Sequence, residues 1–153
     1  MTYSVTRQQI VDAALSMRGL RFRHQGRDRN GIDCVGLLYL VLTEVGYPNI
    51  IDYEGYRKSP PASLVYDILC RNFDEIAVSD AKPGDIFLMR LPGSMKPKHA
   101  SIYVSDVTDP QAGRVPAILH TYAMGAKGGV VIDNLSTWRQ RIVTAFRLKG
   151  VTD

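Results

Sequence analysis
The chain has only two cysteines, Cys34 and Cys70, three histidines, His24, His99 and His120, and one tryptophan, Trp138. Two cysteines do not make a disulfide framework, and a reducing compartment suits them. No run of eighteen apolar residues occurs, so no transmembrane helix and no membrane insertion are expected. The first residues, Met1 to Gln9, lack the apolar core of a secretory signal. The chain is therefore expected to be made in the cytoplasm and to stay there or leave by another route. There is no internal repeat and no low-complexity tract. The excess of one charge sign is small: the net charge is +4 and the pI about 9.2. That suits a polyanion, such as a wall polymer or a nucleic acid, without selecting one. What remains is a chain of 153 residues, 45% apolar and 22% charged. This fits one globular domain over residues 1–153, with a core that needs no staples.

Helical signals come first. Thr6 and Gln9 are spaced as a capping box. Behind them Ile10, Val11, Ala13, Ala14, Leu15 and Met17 form an apolar stripe that Gly19 ends. Leu20 to Asp33 is a loop, and the overlapping stretch Arg18–Arg29 holds the densest basic cluster, Arg18, Arg21, Arg23, Arg27 and Arg29, whose plainest reading is a solvated surface. A second helix is expected from Cys34 to Val45, apolar on nearly all sides and hence buried, with Gly46 closing it and Pro48 blocking its continuation. Asn49 to Pro61 is irregular and rich in tyrosine, and a third helix is expected after Ser59-Pro60-Pro61, through Leu64, Val65, Ile68 and Leu69. Strand signals follow: Ile86–Met89, His99–Val104, Ala117–Tyr122, Val130–Asp133 and Ile142–Leu148. Turns are expected at Lys82–Asp85 and Asp109–Pro116, and a short helical turn at Ser136–Gln140. Helices before strands, with hairpin-length connections, imply an antiparallel sheet and an α+β fold.

The stretch Asn30-Gly31-Ile32-Asp33-Cys34-Val35-Gly36-Leu37 places a cysteine at a helix start, with Asp33 as N-cap. A helix N-terminus carries about half a positive charge. A thiolate is favoured there, and its pKa can fall well below about 8.5. A buried structural thiol is the competing reading. Thiol hydrolases need an imidazole to move the proton and a third group to orient it. With period-two alternation, His99, Ser101 and Tyr103 share one strand face, and Ile118, His120 and Tyr122 share another. Adjacent antiparallel strands can bring both histidines together, so a Cys34–His99–His120 cluster is geometrically reasonable. A zinc site from the same three residues lacks the close ligand pairs such sites use. Cys70 reads as a core or half-buried thiol, Asp85 as a turn-stabilising carboxylate and Trp138 as a sheet-packing anchor.

These residues stand in a wider frame. Gly19–Gly26, Gly31–Leu37, Lys82–Ile86, His99–Val104 and Ile118–His120 together resemble the NlpC/P60 family of papain-like cell-wall peptidases, over about residues 6 to 148. The ordered set Asp-Cys-x-Gly-Leu, Pro-Gly-Asp and His-x-x-x-Tyr carries the resemblance. It is similar above all to the short peptidases encoded with phage tail genes. The resemblance implies Cys34 as nucleophile, His99 as general base and then acid, and His120 as the residue orienting His99. It implies a cleft bordered by Phe22, His24 and Asp33, with Arg21 and Arg23 guiding a carboxylate-rich substrate. No cofactor is implied. The expected partner is the peptidoglycan stem peptide, with phage tail proteins as further partners and no nucleic acid. The expected reaction is hydrolysis of an amide in that stem, between D-glutamate (through its γ-carboxyl) and the diamino acid, through an acyl-enzyme. Two alternatives remain: a weak or inactive tail component, or an amidase or acyltransferase on another substrate. Family members usually carry a tyrosine where this chain has Phe22. Its absence removes one hydroxyl from the oxyanion region and leaves backbone N–H groups, that of Cys34 included, to serve it. Asp109–Arg114 reads as a loop inserted between the two histidine strands.

Overall fold
The computed structural model describes residues 2–52, 62–111, 113–122 and 128–153. In chain order the elements are β1 (Val5–Thr6), α1 (Arg7–Leu15), β2 (Arg27–Asp28), β3 (Gly31–Ile32), α2 (Cys34–Glu44), α3 (Ala62–Asn72), β4 (Phe73–Ile76), β5 (Ile86–Met89), β6 (His99–Asp109), β7 (Gly113–Tyr122), β8 (Gly129–Asn134), α4 (Leu135–Trp138), β9 (Ile142–Leu148) and β10 (Val151–Thr152). The fold is α+β: a six-stranded sheet of order β4-β9-β5-β6-β7-β8, every pairing antiparallel, with helices against it.

The capping box forms as the sequence indicates. The Thr6 hydroxyl accepts from the Gln9 N–H at 3.1 Å, and the Gln9 side chain accepts from the Thr6 N–H at 2.8 Å. α1 ends at Leu15, and the chain turns before Gly19, whose φ of +89° suits glycine. α2 is buried along Cys34 to Leu38 and again at Val41 and Leu42, as its all-round apolar character requires. α3 buries Val65, Ile68, Leu69 and Asn72. Cys70 lies about 200° around the helix from Ile68, and it is exposed, not the core or half-buried thiol expected. The irregular stretch expected over Asn49–Pro61, and the prolines expected to open α3, fall largely on residues 53–61, outside the described residues.

Two further readings need correction. Asp109–Arg114 is not an inserted loop, and the turn expected over Asp109–Pro116 is much shorter. β6 runs on to Asp109 and β7 starts at Gly113, with Val107 opposite Val115 and Thr108 opposite Arg114, so the two strands form one long hairpin. Val107, Thr108 and Val115 are good strand formers, and their preference outweighs the turn residues around them. The edge strand β4 was not anticipated. Its sequence, Phe-Asp-Glu-Ile, has two charges that face solvent at an edge, a habit that discourages edge-to-edge pairing.

Alternation sorts the sheet into two faces. Ile86, Leu88, Ala100, Ile102, Val104, Ala117, Leu119, Phe146 and Leu148 join the helices in the larger core. Phe87, Met89, Ile118 and Ala145 face the other way, into a smaller cluster with Leu135 and Trp138. Asp85 ties the ends of the chain to the sheet. Fully buried, it accepts from the Lys82 N–H at 2.9 Å, from Arg7 at 3.0 Å and from Arg147 at 2.9 Å. It is the turn-stabilising group expected, and two guanidiniums balance its charge. β1 and β10 pair in parallel, Val5 with Val151.

Candidate active site
Asp33 sets the start of α2. Its backbone is extended, and its Oδ1 accepts from the Gly36 N–H at 2.8 Å. That oxygen also accepts from Arg27 at 3.1 Å, and Oδ2 accepts from the Gln25 N–H at 3.0 Å. Asp33 is thus a buried cap with both oxygens occupied, not a group presented to a cleft. Arg27, read as part of a solvated cluster, bridges inward from Asp33 to both oxygens of Asp52, at 2.9 and 3.2 Å. A side chain at Gly36 would overlap the Gly26 carbonyl oxygen. The loop that carries Arg27 can therefore lie on the first turn of α2 only because position 36 is glycine.

Cys34 is buried at this helix start, 5% exposed. Its Sγ donates to the Lys98 carbonyl oxygen at 3.8 Å, and the backbone of Ala100 also reaches it. Lys98 and Ala100 flank His99, so the nucleophile candidate lies across the first residue of β6. The expected lowering of the thiol pKa is overturned. Burial, and then the Asp33 charge, push it up to about 12, against the smaller pull of the Ala100 and Val35 backbone and of Arg27. The physical reason is one of size. A helix terminus favours a charge by at most about 2 kcal/mol, whereas burying an unpaired ion costs several kcal/mol.

β6 and β7 bring the histidines together as their alternation indicates. Ile102 pairs with Leu119 and Tyr103 with Ile118, which sets His99 and His120 diagonally on one face, the face of the smaller cluster. The His99 Nε2 lies 2.8 Å from the His120 Nδ1. The relay continues to a residue the sequence reading missed: the His120 Nε2 lies 2.6 Å from the Asp133 Oδ2. β7 pairs with β8, His120 opposite Val131, and Asp133 is the next residue on that face. The period of two from Val131 to Asp133 was the available signal. Trp138 covers the relay, its indole edge-on to His120 with ring centres 4.8 Å apart, and 6.5 Å from His99. It is the packing anchor expected.

The hydrogen bonds order the protons. The His120 hydrogen bond holds the Asp133 carboxyl below its usual range, so it is an acceptor only. The His120 Nε2 therefore carries a proton; in the tautomer with that proton alone, the His120 Nδ1 lone pair accepts from the His99 Nε2–H. That leaves a lone pair on the His99 Nδ1. Burial, and then the neighbouring His120, hold His99 well below pH 6.5, which keeps this imidazole neutral and able to accept a proton.

The remaining predicted site residues lie on the strand-like segment before β2. The Arg23 N–H donates to the Ile32 carbonyl at 3.1 Å, and the Ile32 N–H donates to the Arg21 carbonyl at 3.0 Å. This lays Arg21, Phe22 and Arg23 beside the two residues that lead into Cys34. Phe22 is half-buried, and Arg21 and Arg23 are exposed, Arg21 held by its Nε on the Asn30 carbonyl at 2.7 Å. His24 is half-buried, its Nε2 3.3 Å from the Gln25 side-chain nitrogen. Among the described residues no three His, Cys, Asp or Glu side chains are grouped to hold a metal ion.

Comparison with known proteins gives a consistent picture. Residues 19–147 match the model of the NlpC/P60 family. Comparison with curated protein sequences finds no significant match. Among solved structures, the chain is similar to the NlpC/p60 domain of the peptidoglycan hydrolase SagA, with 21% identity and a TM-score of 0.61, covering 94% of this chain and 100% of that one. It is similar to an NlpC/P60 family protein from Bacillus cereus, with 17% identity and a TM-score of 0.66, covering 95% of this chain and 41% of that one. It is also similar to NlpC2 from Trichomonas vaginalis, with 14% identity and a TM-score of 0.63, covering 97% of this chain and 48% of that one. The chain thus spans all of the SagA domain and less than half of the other two.

Proposed function
The chain belongs to the NlpC/P60 family, and from that premise we propose that it is a cell-wall hydrolase, a cysteine peptidase that cleaves an amide of the peptidoglycan stem peptide. The observation that carries this reading is the hydrogen-bonded line His99–His120–Asp133, which begins one residue after Lys98, whose carbonyl meets the Cys34 sulfur. The bond we assign to it joins the γ-carboxyl of D-glutamate to the diamino acid.

The resting pair is a thiol and a neutral imidazole, so the proton moves as the sulfur attacks. Cys34 Sγ adds to the amide carbonyl carbon while its proton passes to the His99 Nδ1. The first turn of α2 supplies a donor for the oxyanion. Asp33 takes the Gly36 N–H and the Val35 backbone reaches the Cys34 sulfur, so the Cys34 N–H, a first-turn group with no acceptor in the helix ladder, is the donor we assign to the oxyanion. The tetrahedral intermediate collapses as His99 returns the proton to the departing amine, leaving a thioester on Cys34. Water, deprotonated by the same nitrogen, then releases the acid and restores the thiol. Throughout, His120 holds the ring of His99, and Asp133 holds that of His120. Phe22 favours a second reading, a weakly active component of a phage-like particle, because it offers no hydroxyl to the oxyanion.

Mass spectrometry of purified wall fragments, incubated with the protein and with Cys34→Ala, tests the proposal. The expected result is a single cut between glutamate and the diamino acid, made only by the parent chain. Equal cutting by both proteins, or none by either across several wall chemistries, would overturn it.

A further inference from the structure
Two loops on the Trp138 side of the sheet carry cations and no acid. The β5–β6 connection holds Arg90, Lys96 and Lys98, and the turn after α4 holds Arg139 and Arg141. Neither the stretch from Ile86 to Ser105 nor that from Asn134 to Thr152 contains an aspartate or glutamate. Between the loops lies a notch of about 480 Å³, walled by Arg90, Ser94, Thr137, Gln140 and Arg141 among others, none of them acidic. The wall is fixed: the Arg90 N–H donates to the Arg141 carbonyl at 2.9 Å, and the Arg90 Nη2 donates to the Gln140 carbonyl at 3.0 Å. The buried Arg90 Nε has no hydrogen-bond partner among the described residues.

A buried N–H without an acceptor is unfavourable, and so are two guanidiniums around one notch with no counter-charge. An anion with paired oxygens would supply the missing counter-charge and fits the planar guanidinium fork. The notch adjoins the candidate active site. The loop that walls it at Ser94 ends at Lys98, whose carbonyl meets the Cys34 sulfur. Four residues of chain span at most about 14 Å. Thr137 and Gln140, on the opposite wall, flank the Trp138 that covers the histidine relay.

We propose that this notch binds a carboxylate of the stem peptide about two to four residues from the scissile amide, with Arg90 and Arg141 as its ligands. The proposal rests on the peptidase reading above, but it is tested without turnover. Calorimetry would measure binding to the Cys34→Ala chain of two muropeptides, one with free stem carboxylates and one with them amidated. The free acid should bind more tightly. Arg90→Gln combined with Arg141→Gln should weaken the free acid at least tenfold and leave the amidated form unchanged. Arg90→Lys, which keeps the charge but not the fork, should lose several-fold and keep the parent's melting temperature. Equal binding of the two muropeptides, equal loss for both in the double variant, or no binding by Cys34→Ala would overturn the proposal. So would a glycerol-phosphate oligomer that displaces the free acid at equal concentration, which would assign the notch to a phosphate polymer. Failure of the peptidase reading shows separately, as absence of cleavage by the parent chain.

Discussion
Asp85 and Asp133 are both aspartates of the sheet with basic side chains against them, yet their charges are used differently. Asp85 is fully buried between Arg7 and Arg147, with a backbone N–H on the same carboxylate. Its charge is balanced, and it joins α1, β9 and the turn before β5. Asp133 is one-third exposed and faces one imidazole, which passes a hydrogen bond to a second. Among the described residues no guanidinium or ammonium pairs with Asp133, so the carboxylate's field biases where the relay's protons sit. A carboxylate matched by guanidiniums builds architecture. One matched by an imidazole line sets a tautomer.

The sharpest way to break this contrast is Asp133→Asn. An amide can present an N–H to the His120 Nε2 and reverse the proton order, leaving the His99 Nδ1 without its lone pair. Turnover should fall by about 10²–10⁴, the usual worth of a positioned general base, with the melting temperature nearly unchanged. Asp85→Asn should do the opposite. It leaves two half-buried guanidiniums short of a counter-charge and a buried amide in the carboxylate's place, so urea denaturation should show a loss of about 1–3 kcal/mol, while the folded fraction keeps its kcat. Exchange of these two outcomes would invert the assignment. Phe22→Tyr should raise turnover, by up to about 10² if the phenol reaches the oxyanion, with no change in stability; an unchanged rate would place that ring away from the reacting atoms.

The smallest effects concern pH. His99 is held below its ordinary pKa, so between about pH 6.5 and its lower native value the unfolded chain binds a proton that the native chain does not. Stability should therefore fall as pH falls through that window, by at most about 1.4 kcal/mol per pH unit. Asp133, also lowered, should add a further loss in the same direction as pH falls below about 3.9. Activity should persist below pH 6.5, since the base stays neutral there. Cys34, buried and raised, should react with iodoacetamide at pH 7 more slowly than the exposed Cys70; peptide mapping of the labelled chain would show it, and faster labelling of Cys34 would refute a neutral resting thiol.

Much of this was legible because it is local. Thr6 with Gln9, and Asp33 before Cys34, are caps that need only a few residues to form, and His99 and His120 share a face by alternation alone. What was not legible depends on partners distant in sequence. Asp133 becomes third in the relay only through the register of β8 on β7. The thiol's raised pKa follows from how deeply α2 is buried, which the helix's own sequence does not measure. Arg27 looked like one more surface cation until the loop folded it onto Asp33 and Asp52. β4, four residues with two charges, has too weak a pattern to be seen without β9 beside it.

The parallel pairing of Val5–Thr6 with Val151–Thr152 lays the first strand beside the last, Val5 about 5 Å from Val151. Because the strands run parallel, the chain enters before Val5 and leaves after Thr152, at the two ends of this two-residue ribbon, near the Arg7–Asp85 pair. A domain tethered this way can be spliced into another chain as a pendant, attached by a single stem, without changing the distance between the host segments it interrupts. It also invites circular permutation: a short linker along that ribbon, with new ends cut at the Pro110–Gln111 hairpin tip, would leave the Cys34–His99–His120 arrangement in one piece.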